Sequence, residues 1–265
     1  MIKQILKITL AIALVIGLSA CNGVNATPEK SQTKLQSIIT KGELIVGTSG
    51  NMTPMTRSIN DGKSAVGYDI DLAQSIADTM GVKLTIKVIP LDKLVDAVQN
   101  AEVDMVISNM TMSPSRNAKV SFVGPYITSG KCLVTKLPDL ASADKKQLND
   151  AHNKIAVTQG STSQKFVTLG MPDVEAVAVN TQEEAISMLK EEKVEAFLSD
   201  IPVCKAIIAN NPDEKFISVF TNLNYEPIGI AIAPQNTHLI NYTQNFLVRA
   251  NHVGLLTLLA HKWFN

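Results

Sequence analysis

The chain has 265 residues, 24 Lys and Arg against 24 Asp and Glu, and 45% hydrophobic residues. Zero formal charge argues against nucleic acid as a partner, because phosphate binding wants a basic surface, and the apolar content excludes a disordered chain. Three Cys are too few for a disulfide-built scaffold. Residues 1–20 carry Lys3 and Lys7, no acid, an apolar run from Ile8 to Gly17 and small residues before Cys21, which reads as a secretory signal. The apolar run is too short for a bilayer, which needs ~20 residues. Asn22 to Lys34 is polar and aperiodic, and residues 21–37 are read as a tether. Glu43 to Gly47 reads as a buried strand. Leu72, Ala73, Ile76, Ala77 and Met80 mark a helix over Asp71 to Met80, with Gly81 as its stop. Val82 to Ile89 alternates like a strand, Leu91 to Val98 is helical, and Asp104 to Ser108 is the next strand. Strands follow at Lys131 to Lys136 and Lys154 to Thr158. Thr181 with Glu184 predicts a capping box for a helix to about Glu192. A strand at Glu195 to Ser199, a helix at Ile201 to Asn210, a strand at Ile228 to Ala233 and a helical tail from His238 to Trp263 complete the reading. Such alternation predicts an α/β architecture with mostly parallel sheets.

One pattern occurs twice. Val103-Asp-Met-Val-Ile-Ser-Asn109 and Val194-Glu-Ala-Phe-Leu-Ser-Asp200 each read Val, acid, three apolar residues, Ser and a short polar side chain, and each follows a helix. In open α/β sheets the carboxyl ends of strands face the ligand crevice, so the echo suggests two similar lobes facing one cleft. Catalytic motifs are lacking: there is no Gly-x-Ser-x-Gly, no His-Glu-x-x-His, no Cys-x-x-Cys and no P-loop. His152, His238, His252 and His261 have no metal-ligand spacing. No catalytic residue, metal or cofactor is assigned, and a binder is favoured over an enzyme. Cys132 and Cys204, without framework spacing, read as buried free thiols, pairing being the less favoured alternative.

The charged groups are more informative. Arg116, one of only three Arg, follows the strand ending at Ser108 in a hydroxyl-rich loop. A guanidinium there can clamp a carboxylate with two parallel charge-assisted hydrogen bonds. Asp200, at the matching strand end, can accept an ammonium or cap the next helix. Gly160-Ser161-Thr162-Ser163 can add donors. A cation and an anion across one cleft complement a zwitterion.

Leu18-Ser-Ala-Cys21 resembles the bacterial lipobox, which implies cleavage before Cys21 and a lipid on it. From about Lys41 onward the chain resembles bacterial extracellular solute-binding proteins of the polar amino-acid type. The matching segments are Gly42 to Gly47, Gly67-Tyr-Asp-Ile-Asp-Leu72, Val103 to Thr111, Ser113-Pro-Ser-Arg116, Phe122-Val-Gly-Pro-Tyr126, Gln159-Gly-Ser-Thr162, Val194 to Asp200, and Gly254 through Lys262-Trp-Phe264. The resemblance implies a two-lobe periplasmic-binding-protein-like clamshell, each lobe a mostly parallel sheet flanked by helices, with the hinge crossed twice. Lobe 1 is expected over 38–128 plus 226–265 and lobe 2 over 129–225. By resemblance Arg116 grips a ligand α-carboxylate, Thr111 helps bind both α groups, Asn109 offers its carbonyl, Thr162 beside Ser161 closes on the carboxylate, and Asp200 takes the ammonium. Ser108 belongs to the same strand end.

In place of the relatives' aromatic-Pro-Phe element stands Met52-Thr-Pro-Met55, so Met52, Met55 and Leu91 are expected to form a softer wall. Leu44 to Asn60 contains no acid, which disfavours basic ligands against neutral or polar ones, and Arg57 reads as solvated. The expected activity is capture of a free amino acid by hinge closure for an ABC permease, by a monomer lipid-anchored at Cys21 on the extracytoplasmic side. Two alternatives stand beside it. One is a cyclohexadienyl dehydratase-like enzyme, to which Gly47 to Gly50 and Ser129-Gly-Lys131 are somewhat similar; the other is an extracytoplasmic amino-acid sensor.

Overall fold

The computed structural model describes residues 32–219 and 225–264. The expected signal at 1–20, Cys21 and most of the tether lie outside the described residues. Residues 34–37, expected to close the tether, are instead the first turn of the helix Lys34–Lys41. Thr33 and Gln36 form a reciprocal capping box there, and Leu35 and Ile38 are buried, so this helix has both an N-terminal stop and an apolar face.

Thirteen strands follow in chain order: β1 Glu43–Thr48, β2 Asn51–Met52, β3 Thr56–Ile59, β4 Ser64–Val66, β5 Lys83–Val88, β6 Met105–Val106, β7 Ser121–Ser129, β8 Lys131–Thr135, β9 Lys154–Thr158, β10 Glu175–Val179, β11 Ala196–Asp200, β12 Ile217–Val219 and β13 Glu226–Ile232. They build two five-stranded sheets, ordered β5-β1-β6-β13-β7 and β10-β9-β11-β8-β12, plus a small antiparallel β2-β3-β4 sheet. Each large sheet is parallel on one side, β5-β1-β6 and β10-β9-β11. Its other strands are antiparallel, because they are the ones that carry the chain between sheets. The chain passes from β7 to β8 across the single residue Gly130 and returns between β12 and β13. These are the two lobes of the clamshell. The echoed segments supply β6 and β11, the central strand of each sheet.

Several elements escaped the sequence. β7 contains Gly124 and Pro125, which disguise a nine-residue strand; it is tolerated because β7 is the edge of its sheet. β10, β12 and the small sheet are short or exposed. The helical tail is two helices, Thr237–His252 and Leu255–Phe264, parted at Val253-Gly254. The helix expected from Asp71 begins at Tyr68. A Cβ on Gly67 would lie 2.2 Å from Met55 O, so only glycine lets the chain enter that helix so closely. Its Asp71 accepts from Lys262 Nζ at 2.6 Å and Trp263 Nε1 at 2.7 Å, which fastens the C-terminal helix to the first lobe.

Cys132 of β8 and Cys204 of the helix Ile201–Asn210 are joined in a disulfide, correcting the reading as free thiols. The two elements pack in one lobe, a proximity that spacing cannot reveal. The bridge closes a span of 72 residues, and the loss of such a bridge typically costs roughly 2–4 kcal/mol. Urea unfolding with and without a reductant is expected to differ by that amount; equal midpoints would show the bridge carries no stability.

Candidate functional site

The carboxyl ends of β6 and β11 face each other across the lobes. Asn109 follows β6 in the left-handed region, φ 45°, a conformation Asn tolerates better than most residues. Its backbone N–H donates to Asp69 Oδ2 at 2.6 Å, and Tyr126 Oη donates to Asp69 Oδ1 at 2.7 Å. Asp69 is fully buried, and burial pushes its pKa up to about 7 even though those two donors oppose the rise. The Asn109 turn is thus fixed from below by a carboxylate in the helix Tyr68–Met80.

With its backbone held, Asn109 sends Nδ2 across the cleft to Asp200 Oδ2 at 2.8 Å, while its Oδ1 is buried and accepts no hydrogen bond among the described residues. Asp200 occupies the N-cap position of the helix Ile201–Asn210, but its side chain makes no capping bond. It is spent in the cleft instead, where its Oδ1 accepts from Lys131 Nζ at 2.7 Å. Lys131 is 1% exposed. The same ammonium donates to Thr162 Oγ1 at 2.7 Å and lies 3.5 Å from Glu226 Oε1. Glu226 Oε2 accepts from Thr111 Oγ1 at 2.6 Å and Thr162 Oγ1 at 3.0 Å. Thr111 reaches Glu226 because Met110 and Met112 bond the backbone at the start of β13.

Arg116 lies in the short helix Pro114–Asn117. Its Nη1 donates to Thr111 O at 3.1 Å and its Nη2 to Gly160 O of the other lobe at 3.0 Å. Burial lowers the guanidinium's pKa, and the negative charges of Asp200 and Glu226 draw it back up. Thus Arg116, Asp200, Asn109, Thr111 and Thr162 meet in one cluster. The remaining candidates divide. Ser161 Oγ is the N-cap of the helix Thr162–Gly170, accepting from Gln164 N at 3.0 Å, so its hydroxyl serves the helix rather than the cleft. Ser108 is fully buried and bonded to Ser49, which makes it a brace within the first lobe. Met52 is buried with its Sδ 3.7 Å from Asn109 Nδ2, and Leu91 packs in the same apolar cluster. Met55, expected in the same wall, sits in the separate core around Tyr68. Arg57 is exposed.

At Leu91 the lobes border a half-open chamber of about 330 Å³ lined by Ser49, Asn51, Ser58 and Asp92 from one side and Gln159, Asn180 and Thr181 from the other. Among the described residues Asp92 is the one charged side chain of that lining, with the exposed Lys93 ammonium 3.5 Å from its Oδ2. A hollow of about 320 Å³ beside β7 and the helix Thr237–His252 has no charged residue in its lining and stands apart from the cluster. The sequence reading missed Lys131, Glu226, Asp69 and Asp92. Lys131 reads as the polar first residue of a strand, and Glu226 precedes a Pro. Only the Gly67-Tyr-Asp-Ile-Asp-Leu72 segment, which carries part of the family resemblance, offered any signal, and it did so for Asp69 alone.

The lobes also meet where Asn51 Nδ2 donates to Asn180 O at 2.5 Å and where Gly160 packs on Asp92. A Cβ on Gly160, which has φ +74°, would lie 2.7 Å from Asp92 Cβ and 2.8 Å from its Cα. The clash is with backbone-fixed atoms, so Gly160→Ala must part the lobes. We expect at least a tenfold loss of ligand affinity, with a larger radius of gyration in solution scattering. Unchanged affinity would mean the lobes close by another path.

A family model described as bacterial extracellular solute-binding proteins, family 3, matches residues 44–265. The ABC transporter arginine-binding protein 1 of Escherichia coli is 27% identical over 82% of this chain and 89% of its own length. An ancestral amino acid-binding protein, a precursor of cyclohexadienyl dehydratase, superposes with a TM-score of 0.80 at 30% identity over 87% of this chain and 99% of that one. A binding component from Wolinella succinogenes, complexed with lysine, superposes at 0.79 with 29% identity over 84% of this chain and 96% of that one. The expectation that neutral ligands are preferred to basic ones finds no support among these proteins. Its premise also rests on Leu44 to Asn60 alone, whereas the acid beside the cleft, Asp92, comes from the later short helix Leu91–Lys93.

Proposed function

Because the chain belongs to the bacterial extracellular solute-binding proteins, family 3, we propose that it captures a free α-amino acid between its lobes and delivers it to an ABC permease. The observation that carries this reading is the convergence of Arg116 and Asp200, one from each lobe, on Asn109, Thr111 and Thr162. A guanidinium with two hydroxyls suits an α-carboxylate, and a carboxylate beside the buried Asn109 Oδ1 suits an α-ammonium. In this reading the hinge is crossed at Gly130, between β7 and β8, and again ahead of β13, so that lobe 1 takes the segments on the β7 and β13 side (34–129 with 226–265) and lobe 2 the segment between, one residue later than 128–129 at the first crossing. The side chain points past Leu91 into the chamber, where Asp92 favours a long polar or cationic group. The bonds that exist only when the lobes meet keep a bound amino acid between them. Amino-acid transport relatives, the disulfide, which persists in oxidising compartments, and the lipobox-like Leu18 to Cys21 support an extracytoplasmic protein anchored through Cys21.

The test is a melting-temperature series on protein unfolded and refolded to strip carried-over ligand. The panel holds the common amino acids, their des-amino analogues, prephenate and arogenate. A ligand at ~100 times its Kd adds about 2.7 kcal/mol. The expected result is a shift with L-arginine or L-lysine exceeding that of any des-amino analogue. No shift with any amino acid overturns the transport reading, and consumption of prephenate or arogenate replaces it with the dehydratase one.

A further inference from the structure

Lys131 and Glu226 lie on the two segments that join the sheets, and β13 begins with Glu226 paired to Ser129, two residues before Lys131. That register brings two side chains 95 positions apart in sequence to the same point of the hinge. Each stands where the ligand read above would place a group. Lys131 Nζ sits on Asp200 Oδ1, the seat of an α-ammonium. Glu226 Oε2 takes the hydroxyls of Thr111 and Thr162, two of the donors assigned to an α-carboxylate. The pair therefore has the charges and the partners of a bound zwitterion, supplied by the chain itself. It also ties the lobes together: Lys131, Asp200 and Thr162 belong to the second sheet's side and Glu226 and Thr111 to the first, so Glu226 reaches Thr162 and Lys131 across the lobes.

We propose that Lys131 and Glu226 are specificity-determining residues that stand in for the zwitterion, holding the lobes together without ligand and giving way to an amino acid by exchange. This rests on the amino-acid reading of the same cleft. The charges of the buried Lys131, Asp200 and Glu226 and of the half-buried Arg116 sum to zero. A zwitterion brings one charge of each sign and preserves that balance. Lys131 and Glu226, already 3.5 Å apart, then neutralise each other. A ligand with only a carboxylate or only an ammonium displaces one of them and leaves an unbalanced buried charge, which is costly. The cleft is thereby set against des-amino acids, amino-acid amides and simple amines.

The experiment compares the full chain with the double variant Lys131→Met/Glu226→Gln, both refolded to remove ligand, by solution scattering and by calorimetric titration with L-arginine. Replacing a buried ion pair by groups of similar volume is often tolerated, and melting curves verify folding. The wild-type chain is expected to be compact without amino acid. The double variant is expected to be more open until L-arginine is added, and to bind it at least tenfold more tightly because nothing need be displaced. A double variant as compact as wild type, or one that binds tenfold more weakly at unchanged melting temperature, overturns the proposal. If neither protein binds any common amino acid, the transport reading fails, while the scattering comparison still decides whether the pair holds the lobes. Should the double variant not fold, Thr162→Val removes the hydroxyl shared by Lys131 and Glu226 and is expected to open the lobes in the same way; unchanged scattering there counts against the proposal.

Discussion

Arg116→Ala is expected to weaken amino-acid binding by about 2–5 kcal/mol, the typical cost of truncating one partner of a buried, hydrogen-bonded charge pair. That corresponds to a rise in Kd of roughly 30-fold to a few thousand-fold. The loss has two physical parts. The guanidinium brings a positive charge beside the proposed carboxylate seat, where Thr111 and Thr162 offer only neutral hydroxyls. It also bridges the lobes, from Thr111 O to Gly160 O, so its removal weakens closure as well as the ligand contact. Arg116→Lys keeps the charge but loses the fork that spans both carbonyls, and should recover only part of the affinity. Calorimetric titration of both variants checks this. Wild-type affinity in Arg116→Ala would remove Arg116 from the site, and full recovery by Lys would reduce its role to charge alone.

The second large effect is a dependence of stability on pH that runs opposite to that of most carboxylates. Asp69 has a native pKa of about 7, raised chiefly by burial, against about 4 in an unfolded chain. Between those values the native state holds a proton that the unfolded state has lost. The stabilisation is therefore complete below about pH 4 and is lost as pH rises through 7. Three pKa units correspond to about 4 kcal/mol in all, of which about 2–3 kcal/mol lies between pH 5 and pH 8. The exposed acids whose pKa is lowered, Asp150, Glu191 and Glu214, act at more acidic pH and leave this window clear. Asp69→Asn should flatten the profile. An amide oxygen can still accept from Asn109 N–H, and the amide nitrogen can donate to Tyr126 Oη. Urea unfolding at pH 5 and pH 8 is the measurement. A wild-type profile that is flat across that interval would show that Asp69 stays ionised in the fold.

Asp69 also explains why the Gly67-Tyr-Asp-Ile-Asp-Leu72 segment was informative in the sequence without its role being legible. Both its acids are spent on other elements: Asp69 beneath the Asn109 turn, Asp71 on Lys262 and Trp263 of the C-terminal helix. These partners are 40 to 192 positions away, and no local pattern reports them.

What the sequence determined by itself is what local periodicity encodes. The alternation of elements, the helices from Thr181 and at Ile201–Asn210, and the two echoed strands at the centres of the two sheets all follow from apolar spacing and caps. Polar residues at the ends of those strands were legible too, because a buried strand must release its chain into polar loops there; hence Asn109, Arg116 and Asp200 were found. The tertiary structure alone decided the disulfide, Asp69 under the turn, Asp92 in the chamber, and above all Lys131 beside Glu226. Each depends on which strands become neighbours. The pairing of β13 with β7 brings Glu226 next to the start of β8, and only the closed approach of two lobes turns a strand-initial lysine and a glutamate before proline into a buried pair of opposite charges.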